Sequence, residues 1–166
     1  GVTWVDLNND GYSDIIVNTT ADGDYTHIYI HNQTDPPTFT DATLSMAAGL
    51  LEEQGSRSVV AADLNNDGYV DIVNAFHTKM NVFLSNGPDQ TGQWTLGNYG
   101  QPNHQVDDTW WPGFNVEGVG VLDYNNDGWL DIVADAHDLG FIVLLNTQLP
   151  FSPFAVDDST GLPSAG

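Results

Sequence analysis

The sequence predicts an all-β protein made of repeated four-stranded antiparallel sheets, and three observations carry that expectation. The 166 residues contain 23 acids, of which only Glu52, Glu53 and Glu117 are Glu. Asp is a poor helix former that prefers turns and caps, so acidity of this form, beside 17 Gly, belongs to loops. A ten-residue segment, Asp6-Leu7-Asn8-Asn9-Asp10-Gly11-Tyr12-Ser13-Asp14-Ile15, returns almost unchanged from Asp63 and again from Asp123. Around every copy the same succession of short Ile/Val-rich runs repeats, which is the signature of a repeat architecture.

The elements follow in order. An apolar run precedes each loop: Val2 to Val5, Val59 to Ala62, Val119 to Leu122. A β-rich segment follows it: Ile15 to Val17, Ile72-Val73, Ile132-Val133. After a short polar turn comes a third strand, at His27 to Ile30, Asn81 to Leu84 and Phe141 to Leu145. A Phe-led strand running to Gly-Leu closes two repeats, at Phe39 to Leu50 and Phe154 to Leu162. Four short strands bounded by Gly, Asn, Asp and Pro make one blade of β-propeller type. The chain is one domain of about three blades, 1–50, 51–117 and 118–166. Residues 86–117 form an outer strand plus an insertion containing Trp94, Trp110 and Trp111. These tryptophans either cover a blade edge or bind glycans.

Charge and composition narrow the function. Against the acids stand only Arg57 and Lys79, for a net charge of −21. Binding nucleic acid or an anionic membrane calls for clustered Lys and Arg, so neither is an expected partner. No apolar run approaches the ~18–20 residues of a membrane span. With no cysteine, disulfides, thiolate metal sites and thiol nucleophiles are excluded. No nucleophile elbow, phosphate loop or H-E-x-x-H is present, and the expected role is non-enzymatic.

The repeated loop has the chemistry of a hard-cation site. Calcium takes about 6–8 oxygen ligands, and D-x-N-x-D-G-x-x-D supplies them in alternation. Positions 1, 3 and 5 turn side-chain oxygens inward, Gly at position 6 reverses the chain, and position 7 offers a carbonyl. Position 9 returns a last Asp, able to bind with both oxygens. The expected ligands are Asp6, Asn8, Asp10, Tyr12 (carbonyl) and Asp14; Asp63, Asn65, Asp67, Tyr69 (carbonyl) and Asp71; Asp123, Asn125, Asp127, Trp129 (carbonyl) and Asp131. Three calcium ions are expected. An EF-hand needs a bidentate Glu at position 12, where Val17, Asn74 and Ala134 stand.

These loops, with stretches such as Phe39-Thr40-Asp41-Ala42-Thr43 and Gly49-Leu50, resemble the FG-GAP/VCBS repeats, in the bacterial variant linked to the ASPIC/UnbV group. The resemblance covers most of residues 1–85 and 116–166. It implies the calcium-binding β-propeller of integrin α-subunit heads and many bacterial extracellular proteins, and the same ligand residues.

Three blades do not close a propeller, which takes about 4–8. The expected partner is therefore the chain itself, or further repeats of a longer chain. Pairing is expected as strand addition, with Ser152 to Asp158 near an open edge, Gly161 to Gly166 crossing between units, and Gly1 to Val5 needing a preceding partner to complete its sheet. Asn18 and Asn32 begin N-glycosylation sequons. His77 and His137 read as turn residues, and His27 and His31 as strand residues without a metal. Millimolar calcium outside cells suits loops of ordinary affinity, so an extracellular or surface location is expected.

Overall fold

A computed structural model describes residues 1–20, 25–47, 55–76, 80–90, 94–98, 116–136, 140–148 and 154–156. Three four-stranded antiparallel sheets stand in chain order. Sheet 1 is β1 (Val2–Val5), β2 (Asp14–Val17), β3 (His27–His31) and β4 (Phe39–Asp41). A one-turn helix, α1 (Thr43–Met46), leads away from it. Sheet 2 is β5 (Ser56–Ala62), β6 (Asp71–Phe76), β7 (Met80–Pro88) and β8 (Trp94–Asn98). Sheet 3 is β9 (Val116–Leu122), β10 (Asp131–Ala136), β11 (Gly140–Asn146) and β12 (Phe154–Val156). In each sheet neighbours in sequence are neighbours in space, as consecutive hairpins require. The chain is all-β, with partial β-propeller-like blades.

The register is the same in all three. Val5 pairs with Asp14, Ala62 with Asp71 and Leu122 with Asp131. Each Asp-rich loop therefore closes the hairpin between first and second strands, and its position-9 Asp opens the second strand.

The sheets pack face to face, and the period-2 alternation of a strand divides the side chains of sheet 2 between two cores. Ile72, Phe83, Val59 and Leu96 meet Ile16 and Ile28 of sheet 1 and Leu7 of its loop. Val73, Val82 and Met80, with Leu64 of the second loop, meet Val116, Ile132, Ala134 and Leu144 of sheet 3. Every residue of β6 is buried, which is why its sequence reads as a nearly unbroken apolar run rather than an alternation. Arg57 Nη1 donates to both carboxylate oxygens of Glu117, at 2.8 and 2.6 Å, tying β5 to β9.

Three expectations need correction. The strand led by Phe39 ends at Asp41, not Leu50. The Asp41 carboxylate accepts the Thr43 N–H and hydroxyl, and Thr43 Oγ1 accepts the Ile28 N–H, so the chain turns off the sheet into α1. Residues 1–5 need no further strand to complete their sheet, because β1 already pairs with β2 in a four-stranded sheet. Sheet 3 begins at Val116, two residues before the expected repeat boundary. The insertion expected within 86–117 contributes β8 at Trp94–Asn98. Residues 91–93 and 99–115, with Trp110 and Trp111, lie outside the described residues, as do His77, His137, residues 157–166 and the end of the strand led by Phe154.

Candidate metal centres in the three interstrand loops

The three loops share one hydrogen-bond network. In the first, Asp6 accepts the N–H groups of Asp10 and Gly11, at 2.9 and 2.8 Å, through its two oxygens. Asn8 Oδ1 also accepts the Asp10 N–H, and Asn8 Nδ2 donates to Asp10 Oδ2, both at 3.2 Å. Asp10 Oδ1 accepts the Tyr12 N–H. The same set recurs around Asp63, Asn65 and Asp67 and around Asp123, Asn125 and Asp127. Side-chain acceptors bonding their own backbone two residues on are the Asx-turn chemistry that makes Asp and Asn turn residues.

Two backbone positions shape each loop. Gly11, Gly68 and Gly128 have φ of 87°, 88° and 90°. A Cβ there would meet nothing within 4 Å, so glycine is required by the dihedral, not by space. Asn9, Asn66 and Asn126 sit at φ of 54°, 55° and 59°, the left-handed region that Asn tolerates. Their side chains reach outward. Asn9 Nδ2 donates to the Gly68 carbonyl at 3.0 Å, and Asn66 Nδ2 to the Gly128 carbonyl at 3.2 Å. The loops are therefore linked in series along one end of the stacked sheets. The presence of this second Asn in all three copies is the sequence signal of the link.

The position-9 carboxylates lie deepest. Asp14 accepts the N–H groups of Leu7 and His31, Asp71 those of Leu64 and Ser85, and Asp131 those of Tyr124 and Asn146. Each thus pins its loop to the third strand of its own sheet, and all three are fully buried. Burial pushes the Asp71 carboxyl up to about 7, with Asp67 and Asp63 adding their repulsion and the two N–H bonds opposing it. Burial raises Asp14 in the same way, with Asp10 and Asp6 contributing. Asp10 is held below its ordinary value: burial pulls it upward, but hydrogen bonds from Tyr12, Gln33 and Asn8 and the nearby His31 outweigh that.

In this arrangement the position-1 and position-5 carboxylates bond the loop backbone and the position-9 carboxylate sits beneath it. Among the described residues no three His, Asp or Glu side chains close up as a ready-made metal-binding group. The donor set still fits a hard cation: each loop offers three carboxylates and one amide oxygen. In the first two loops the position-1 and position-5 carboxylates stand near enough to raise the position-9 carboxyl, which a divalent ion would relieve.

The first two position-7 side chains pack instead of merely varying. Tyr12 stacks on His31 with centroids 5.0 Å apart, and Tyr69 meets Trp94 edge-on at 5.2 Å. Trp94 is half-buried against the core shared by sheets 1 and 2, so it is a packing residue at the blade edge. His27 lies 3.3 Å from Asp41, and His31 Nδ1 accepts the Gln33 N–H. Asn18 is buried, and its Nδ2 donates to the Ser56 carbonyl. A glycan on Asn18 is incompatible with that burial, which corrects the expectation from its sequon. Asn32 is exposed, bonded to Thr38 and Thr40.

Residues 6–74 match the family model of the FG-GAP-like repeat. This segment is similar to that repeat. It runs from the first loop through sheet 1 and the second loop into β6. No curated protein matches the chain. Among solved structures, an Agrocybe aegerita lectin that specifically recognises non-reducing terminal N-acetylglucosamine is similar at 20% identity and a TM-score of 0.54. That match covers 95% of this chain and 37% of the lectin, so the chain spans little more than a third of it. The likeness is one of fold. The Photorhabdus luminescens Tc holotoxin pore matches at 16% identity and a TM-score of 0.43, over 97% of this chain and 7% of its own. No helix of the described residues is long and apolar enough to cross a membrane.

Proposed function

We propose that this chain is a non-enzymatic, extracellular calcium-binding module of β-propeller type, structural or adhesive in role, whose copies associate head to tail. The observation that carries the reading is the threefold repetition of one loop, with the same donors, dihedrals and register, at one end of three stacked sheets. A turn serving only to join two strands needs neither three carboxylates nor their accumulation at a buried anchor that opens the second strand, such as Asp71. Asp6, Asn8, Asp10 and Asp14, with the Tyr12 carbonyl, would hold the first ion, and the corresponding residues the other two. Bound calcium would supply positive charge, neutralising carboxylates that otherwise repel. Magnesium suits these loops less, since it demands a tight octahedron and keeps its waters.

Calorimetric titration of the chelator-stripped chain tests the reading. Three ions per chain are expected for the native sequence, and two for each single variant Asp6→Asn, Asp63→Asn or Asp123→Asn. No calcium uptake by the native chain would refute it.

A further inference from the structure

The large exposed apolar residues of the outer sheets sit where sheet 2 makes its interfaces. On β1, Val2 and Trp4 precede the loop by the same intervals as Val59 and Ala61 of β5, which pack against sheet 1. Phe39 lies opposite His31 as Leu96 lies opposite Ser85. Yet Trp4 is 61% exposed. On sheet 3, Leu122 and Tyr124 correspond to Ala62 and Leu64, and Phe141 lies opposite Asp135 as Met80 lies opposite Ala75. Met80 is 2% exposed beneath sheet 3, whereas Phe141 is 44% exposed. Among the described residues the polar part of the interface is also open at both ends. Asn126 has the left-handed φ of Asn9 and Asn66, but its side chain makes no hydrogen bond to the described residues. Gly11 presents the carbonyl that corresponds to those of Gly68 and Gly128.

We propose that the face of sheet 3 bearing Leu122, Tyr124 and Phe141 receives the Val2, Trp4 and Phe39 face of sheet 1 from a second copy of the chain, with Asn126 Nδ2 donating to the Gly11 carbonyl of that copy. The contact continues the two interfaces already inside the chain: same strand positions, same apolar residue class, same Asn-to-Gly bond. It rests on the head-to-tail association proposed above, and replaces edge-strand pairing with face-to-face stacking. The interface is heterologous, so it generates a closed ring or an open chain of copies. Each copy carries −21, so association strengthens with calcium and with screening salt.

Sedimentation velocity of the full chain in calcium tests this, using Trp4→Glu and Phe141→Glu. Both side chains are exposed, so circular dichroism and calcium stoichiometry should match the native chain. Val2→Glu and Leu122→Glu provide a second pair should either variant misfold. The native chain should associate with rising concentration. Each variant alone should bind its own kind at least about tenfold more weakly, as loss of a central aromatic anchor does. Their equimolar mixture should form a one-to-one heterodimer, because one variant keeps the sheet 3 face and the other keeps the sheet 1 face. A monomeric native chain, a variant that assembles like the native chain, or a mixture that stays monomeric would each overturn the proposal. Calcium stoichiometry on the same samples separates the two readings: three bound ions in a monomer leave the metal assignment standing, and heterodimers without bound calcium leave the interface standing.

Discussion

Asp41 shows how much one side chain can decide. Its carboxylate takes both donors of Thr43 and lies beside His27, ending β4 and starting α1. Burial alone would raise its pKa, but these partners hold it below 3.8. A carboxylate depressed in the fold stabilises above its unfolded pKa, and that contribution is lost as pH falls through the folded value. Asp41→Asn should therefore destabilise the chain at neutral pH and flatten the acid limb of its stability profile, measured by denaturant melts between pH 2 and 6. An unchanged acid limb would show that the Thr43 and His27 contacts carry no linkage. Gly128 decides by its backbone. Gly128→Ala should cost about 1–2 kcal/mol, the ordinary penalty of left-handed backbone for a residue with a Cβ, with no steric clash to add to it. The ten-residue motif was legible because its internal chemistry is local: the bonds among its own residues span two to seven positions. Burial of Asn18 was not legible, because the group that buries it, the Ser56 carbonyl, lies on another sheet.

At the scale of elements, hairpin order and most strand positions could be read directly, since alternation and turn residues are short-range signals. What escaped was long-range. The Phe39 strand looked continuous to Leu50 because its break comes from a hydrogen bond to Ile28 on the neighbouring strand. Residues 1–5 look unpartnered when the repeats are phased by the loops rather than by completed sheets. The serial link between loops was equally hidden, since Asn66 finds its acceptor in the next repeat. Removing it with Asn66→Ala should cost about 1 kcal/mol, the usual net worth of one hydrogen bond, and should loosen the third loop as well as the second. Amide exchange at Gly128 and Trp129, compared with Gly11 and Tyr12, reads that difference. Equal effects on the first and third loops would remove the directionality inferred for the link.

For the whole molecule, sheet 2 is the keystone, because both of its faces are covered. Phe83 lies fully buried between sheets 1 and 2, and Phe83→Ala should cost about 3–5 kcal/mol in a chemical melt, unfolding the chain as one unit. The loops at one end of this stack hold the acids that burial and mutual repulsion make expensive, and the central claim is that calcium meets that cost. Binding to the folded state alone raises stability by linkage. The most direct measurement is the thermal melt of the chain in millimolar calcium, in millimolar magnesium and in excess chelator, with bound metal counted by elemental analysis. The account predicts three calcium ions per chain, a melting temperature markedly lowered by chelator, and little recovery with magnesium. A melt unchanged in chelator, with no calcium found on the protein, would contradict it.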